Sequence, residues 1–199
     1  MQIDFELFEA KAKDLDVVSL LEWTSFPPDE AASDETIRVR QAVAGKYFIV
    51  IKEDDADATD CFGFINGTCI TGDTVTEESM TEHVPEGKTL VLHSVTVSPN
   101  NRRGGVGSSM LKRYVTRIAE ECPEITRLLL LSKAYLLRYY ASCGFSLVGL
   151  SPVEHGEVIG KKKSLYCTNS FQDEVKAHKI HFIIWPVFIF AIIIISRFD

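Results

Sequence analysis

The sequence predicts an α/β fold, a mixed central sheet covered on both faces by helices. Three observations carry that prediction. Strand-type runs interleave with runs that are apolar at helical spacing from Ile3 to Leu150. The run Leu128 to Leu131 is short and wholly apolar, as a strand buried on both faces is. Finally, 199 residues, 46% hydrophobic and 25% charged, suit one ordinary domain with a sizeable core and exclude a large multidomain machine or wholesale disorder.

In order along the chain, Ile3, Phe5 and Leu7 alternate with polar residues as a half-buried strand does, and Leu15, Val17, Val18, Leu20 and Leu21 then recur at helical spacing. Phe26, Pro27 and Pro28 break that helix. Asp29 to Ser33 supply cap-type residues before a second helix through Ile37, Val39 and Val43, for which Gly45 stands as a C-cap. Tyr47 to Ile51 and Cys61 to Ile70 read as an antiparallel pair around an acidic loop holding Glu53, Asp54, Asp55, Asp57 and Asp60. A polar stretch to Lys88, with a helical turn at Glu77, Glu78 and Glu82, precedes a strand from Leu90 to Val97 that Pro99 and Asn100 end. On that strand, simple alternation puts Val91, His93, Val95 and Val97 on one face, with Leu90, Leu92, Ser94 and Thr96 on the other. A helix follows with Val106, Met110, Leu111, Val115 and Ile118 in step. After Leu128 to Leu131 come a helix through Leu137, Tyr140 and Ala141, a stop at Gly144 and a strand from Phe145 to Leu150.

The formal charge of −7 disfavours a nucleic-acid binder, which needs a basic face to neutralise phosphates. The charge is also polarised: residues 1 to 100 hold 20 acidic against 7 basic side chains, residues 101 to 199 hold 8 against 14. One half attracts cations and the other anions, although acidic loops are also ordinary solvated connections. Cys61, Cys69, Cys122, Cys143 and Cys167 form an odd set without a C-x-x-C pair, and no signal-peptide order opens the chain. Free thiols and a cytoplasmic setting are the expectation.

The candidate site begins at Arg102-Arg103-Gly104-Gly105-Val106-Gly107-Ser108, a glycine turn running from a strand into a helix. Such a turn aims several backbone N–H groups at one point, at the positive end of the helix dipole, and so cradles an anion. Neither a P-loop nor the three-glycine Rossmann spacing is present.

Arg102, Gly105 and Gly107 resemble the acetyl-CoA pyrophosphate loop of the GNAT-type N-acetyltransferases. Four further stretches, Phe26 to Ser33, Leu92 to Val97, Tyr140 to Phe145 and Leu147 to Gly156, look like the arylalkylamine N-acetyltransferase branch, in particular its fungal and protist type. The resemblance implies the GNAT (acyl-CoA N-acyltransferase) fold over residues 1–170, acetyl-CoA as co-substrate, no metal, and a small primary amine as acceptor, best an arylalkylamine. It implies that Val95, Thr96 and Val97 pair with the pantetheine arm, and that Arg103, Gly104, Gly105, Val106, Gly107 and Ser108 wrap the pyrophosphate. It further makes Tyr140 the acid that protonates the departing thiolate and His93 the base candidate, with the Val95 N–H stabilising the oxyanion. The family's second strand histidine is Val91 here, which leaves His93, or a water chain, to act as base. Tyr135 and Tyr139 read as core tyrosines, and Cys69 and Cys143 as buried packing rather than nucleophiles. A polyamine or lysine-like acceptor, and a CoA-binding module without turnover, are the rival readings.

Beyond Gly156 the resemblance fades. Leu165 to Phe171 offers a last strand, and residues 171–199 form a tail with an apolar segment at 180–195. Sixteen helical residues reach about 24 Å against a hydrocarbon core near 30 Å. Three readings stand open for the tail: a short membrane anchor leaving the catalytic domain in the cytosol, a membrane-surface or partner-binding segment, and an extension from alternative splicing or a gene-model error.

Overall fold

The computed structural model describes residues 4–151 and 165–170. Seven strands form one sheet: β1 (Glu6–Glu9), β2 (Ile49–Lys52), β3 (Gly63–Ile70), β4 (Thr89–Val97), β5 (Arg127–Ser132), β6 (Ser146–Leu150) and β7 (Leu165–Ser170), in the spatial order β1-β2-β3-β4-β5-β7-β6. Every neighbouring pair is antiparallel except β4 and β5, which run parallel. Four helices accompany them: α1 (Leu15–Ser25), α2 (Asp34–Ala44), α3 (Val106–Glu121) and α4 (Leu137–Ser142). The last strand is inserted between β5 and β6.

The helices start and stop for local reasons. α1 ends before Phe26-Pro27-Pro28, because a residue preceding proline is pushed out of the helical region. Ser33 caps α2, its Oγ accepting the Thr36 N–H at 3.1 Å. α3 presents Val106, Met110, Leu111, Tyr114 and Ile118 to one face of the sheet, where they pack with Ile49, Ile51, Ile65, Leu90, Leu92, Leu128 and Leu130. On the opposite face Leu15, Val18, Leu21 and Ile37 of α1 and α2 cover Phe48, Val50 and Phe64. β5 is buried from both sides, as its apolar run requires: Leu128 and Leu130 join the α3 layer, and Leu129 packs on the other face with Ile70, Val75 and Val91. Beyond the apolar layers, Lys52 Nζ and Asp14 Oδ1 form an ion pair of 2.8 Å that is 1% and 0% exposed, and the same ammonium donates to the carbonyls of Ala56 and Ala58. This contact pins the acidic loop to the domain.

Two sequence expectations, for β1 and β4, are corrected, and two for α2 hold with added detail. β1 begins at Glu6, with Phe5 buried just ahead of it and Ile3 outside the described residues. Val39 and Val43 lie about half exposed on the outer side of α2, whose buried residues are Ile37 and Ala44. Gly45 does sit at the C-cap, but with φ −55° it keeps the right-handed conformation and leads into a single 3-10 turn, Gly45–Tyr47. The second correction concerns β4. Asn66 pairs with Ser94 while the next residue of β3, Gly67, pairs with Leu92, so His93 is an extra residue, a β-bulge. The bulge resets the alternation. Leu90, Leu92, Val95 and Val97 consequently share the α3 face, and Ser94 and Thr96 lie on the α1 face.

The apolar tail segment and Lys161 to Lys163 lie outside the described residues. Among the described residues, no helix is long and apolar enough to cross a membrane.

Candidate functional site

The bulge coincides with an opening in the sheet. β4 and β5 pair only from Thr89–Leu92 with Arg127–Leu130. Beyond Leu92 the two strands part, and β5 continues paired to β7 alone. Ser98 N–H donates to the Phe62 carbonyl next to β3 at 2.8 Å, so by strand alternation Thr96 and Ser94 also turn their backbone groups toward β3. Val95 and Val97 turn theirs the other way, across the opening. The Val97 carbonyl accepts Arg102 Nε there at 2.7 Å.

A cleft of about 300 Å³ occupies the α3 side of this opening. Its walls are Val95 and Val97 of β4, the turn residues Arg102, Arg103, Gly105, Gly107 and Ser108, and Leu136, Tyr139 and Tyr140. The turn is shaped by its backbone. Gly105 has φ +83°, and Arg103 adopts φ +64°, a conformation that strains a residue with a Cβ. Gly107 sits close: a Cβ there would stand 3.2 Å from the Tyr139 hydroxyl, which would have to give by a few tenths of an ångström. Gly105 caps α3 without a side chain, and the first intrahelical bond is Ser109 N–H to the Gly105 carbonyl. The N–H groups of Val106, Gly107 and Ser108 are thus left without helical acceptors at the cleft wall. Arg102 has a second duty, since its Nη2 donates to Ser25 Oγ at 2.8 Å and ties the turn to the end of α1.

Both tyrosines of α4 reach the cleft. Tyr140 is 8% exposed, and burial holds its hydroxyl well above the usual phenol range; burial acts on Tyr139 in the same direction. Their rings meet edge to face with centroids 5.0 Å apart, and Phe145 backs Tyr140 at 6.0 Å. Each phenol carries its proton at neutral pH. A thiolate released in low-dielectric surroundings is shifted the same way; away from the cleft, burial pushes the thiols of Cys61 up to about 12 and of Cys69 and Cys167 up to about 11. Proton transfer from phenol to thiolate therefore stays within reach. The same burial makes Cys69 a poor nucleophile, and Cys143, itself buried, has the Ser108 carbonyl 4.0 Å from its sulfur.

Across the sheet, beneath α1, the surroundings are polar. His93 Nε2 and Thr68 Oγ1 of β3 lie 2.7 Å apart. Asn66, Ser94 and Thr96 are buried beside them. Glu22 of α1, 2% exposed, accepts the Ala32 N–H at 3.0 Å. Burial raises the pKa of its carboxyl, while the Ala32 N–H, the Ser94 hydroxyl and the Arg40 charge oppose that rise. Lys133 Nζ and Glu30 Oε1, 2.6 Å apart, tie the end of β5 to the connection between α1 and α2.

Of the residues singled out in the sequence, Val95, Val97, Arg102, Arg103, Gly105, Gly107, Ser108 and Tyr140 thus line one cleft. Gly104 and Val106 belong to the same turn, while the side chains of His93 and Thr96 are not among the residues lining the cleft. Tyr139 packs against the core, as read, and also lines the cleft, whereas Tyr135 is 81% exposed and not a core residue. Glu22 escaped notice because a single acid on an amphipathic helix resembles any solvated residue; its in-step position between Leu21 and Phe26 was the available signal. Among the described residues, no group of three or more His, Cys, Asp or Glu side chains is placed to hold a metal ion.

Residues 15–145 match the acetyltransferase (GNAT) family, and the chain belongs to it. Serotonin N-acetyltransferase of Mesocricetus auratus is 34% identical over 95 residues, a match covering 48% of this chain and 45% of that enzyme. The chain thus matches less than half the length of this relative. Among solved structures, the GphF GNAT-like decarboxylase in complex with isobutyryl-CoA superposes with a TM-score of 0.71 at 16% identity, covering 83% of this chain and 98% of the other. The ribosomal-protein-S18-alanine N-acetyltransferase from Escherichia coli gives a TM-score of 0.61 at 14% identity, with coverages of 89% and 99%. At such identities the likeness is one of fold, and the fold carries more than one reaction.

Proposed function

We propose that this GNAT-family chain transfers an acetyl group from acetyl-CoA to a small primary amine, with an arylalkylamine as the best acceptor. The observation that carries the reading is the opening between β4 and β5. It has an anion-binding turn and a buried phenol on one side and a polar, acid-bearing bed on the other. The residues fit the co-substrate. Val106, Gly107 and Ser108 offer free N–H donors for the pyrophosphate, and Gly105 and Gly107 let that group approach the backbone. The outward-turned groups of Val95 and Val97 suit the amide-bearing pantetheine arm, as an added strand would.

With the thioester laid along β4, the Val95 N–H points to where negative charge develops on the carbonyl oxygen. The acceptor arrives as an ammonium and must lose one proton before its lone pair can attack; His93, at the bulge, is the base assigned to it. The nitrogen adds to the thioester carbonyl, forming the N–C bond and a tetrahedral oxyanion; as that oxyanion collapses the C–S bond breaks, and Tyr140 supplies the proton that converts the leaving thiolate into a thiol. The nitrogen's second proton passes through solvent and restores the Tyr140 phenol, while His93 returns the first to solvent. No covalent enzyme intermediate is required. The arylalkylamine preference is supported by the partial match to the hamster enzyme. The experiment is an amine panel incubated with acetyl-CoA and the full chain, followed by thiol release and mass of the product. Arylalkylamines should give N-acetylated products with the highest kcat/KM; higher values for polyamines would reassign the acceptor, and release without any acetylated amine would reject the reading.

A further inference from the structure

The bed beneath α1 is unusual for a buried layer. Glu22 Oε2, Asn66 Nδ2 and Oδ1, and Thr96 Oγ1 are all enclosed and lack a protein hydrogen-bond partner. A buried polar atom left unmade costs about 1–3 kcal/mol, so a packing role alone would have favoured apolar side chains here. The cross-strand pair Asn66 and Ser94 sets the amide and the hydroxyl side by side directly after the His93 bulge, and Glu22 of α1 acts on Ser94. One oxygen of Glu22 holds the Ala32 N–H, which anchors the α1–α2 connection; the other has no such structural use.

We propose that Glu22 is a positioning residue for the acceptor, a buried negative charge that draws the protonated amine to the bulge and holds positive charge there while the proton passes to His93. This rests on the proposed amine transfer. The carboxylate need not touch the substrate, because at short range in a poorly solvated bed a unit charge acts strongly through an intervening hydroxyl. Ser94 offers that hydroxyl: it acts on the Glu22 carboxyl from close by, although its enclosed Oγ makes no hydrogen bond of ordinary length. The charged and titratable groups around it are Arg40 from α2, whose Nη2 donates to the Met80 carbonyl at 3.2 Å, the Glu30–Lys133 ion pair on the connection that Glu22 anchors, and His93 at the adjoining bulge of β4, while β3 contributes the neutral Asn66 and Thr68. Arg40 lowers the Glu22 pKa through its charge and so moderates the carboxylate. The charge is present above the raised pKa of Glu22 and disappears as pH falls through it.

The test compares wild-type full chain with Glu22→Gln, which keeps an oxygen for the Ala32 N–H. For an amine that is cationic at the assay pH, KM should rise about tenfold in the variant with a smaller change in kcat. For an amine of similar shape that is neutral at that pH, kcat/KM should change less than twofold, and calorimetric CoA affinity should be unaltered. Equal losses for the two amines would overturn the proposal, since a structural lesion does not distinguish substrate charge. If the variant fails to fold, the wild-type chain decides. A non-reacting ammonium inhibitor should bind about tenfold tighter than its neutral alcohol isostere, and that preference should fade as pH is lowered through the Glu22 titration. Equal inhibition at every pH would refute the role. If instead wild type acetylates no amine at all, it is the proposed transfer that fails, a result readily told apart from either outcome for Glu22.

Discussion

Gly104 and Gly105 offer a paired experiment on the anion-binding turn. At both positions an added Cβ meets nothing within 4 Å, yet Gly105 has φ +83° and Gly104 lies outside the left-handed region. Steric crowding is therefore equal, and backbone conformation is the difference. An L-residue in the left-handed region costs roughly 1–2 kcal/mol. Gly105→Ala should then lose about that much in urea unfolding without CoA, whereas Gly104→Ala should stay within about 0.5 kcal/mol of wild type or gain slightly through the unfolded chain. If the free turn relaxes to escape the strain, the loss moves into binding, where the same energy corresponds to roughly a five- to thirtyfold weaker CoA affinity by calorimetry. The two losses together should total about 1–2 kcal/mol. Indistinguishable alanine variants, in both unfolding and binding, would show that the left-handed turn is not what forms the cradle.

Three further outcomes are expected. Tyr140→Phe should lower kcat by about 100-fold while leaving acetyl-CoA affinity within twofold, and Tyr139→Phe should reduce kcat far less; steady-state kinetics and calorimetry check both. Lys52→Met should destabilise the domain by about 3–5 kcal/mol in urea unfolding, because it strands the Asp14 carboxylate in a fully buried position. Cys61, Cys69 and Cys167, whose thiols burial raises to about 12, 11 and 11, should resist a thiol reagent at pH 7.4 until the chain is denatured; rapid native labelling at any of them would contradict the burial.

Much of this architecture is written in local patterns. The apolar run of β5, the proline break after Ser25, the Ser33 cap and the glycine turn before Val106 each act within a few residues, so periodicity and turn chemistry reveal them. The cleft was legible for the same reason, since strand, turn and helix that form it are contiguous from Val95 to Ser108. Three features were not. The bulge at His93 depends on how β3 and β4 align, and alternation counted along one strand cannot register an extra residue that only its partner exposes. Tyr139 and Tyr140 are neighbours on one short helix, and only the fold shows that Tyr139, against Gly107, lines the cleft beside Tyr140. Glu22 gains its meaning from Ser94, Asn66 and Arg40, which lie on three other elements and meet only in the folded chain.

The account stands on donor and acceptor entering the β4–β5 opening from opposite faces and meeting at the bulge. Its most direct measurement is the affinity of a bisubstrate analogue, an arylalkylamine joined through an acetyl bridge to the sulfur of CoA, titrated calorimetrically against the full chain beside CoA itself. Joining two ligands that occupy adjacent sites removes the second loss of translational freedom, so the analogue should bind at least 100-fold tighter than CoA. An affinity equal to or weaker than that of CoA would mean that no acceptor site adjoins the thioester, and would contradict the account.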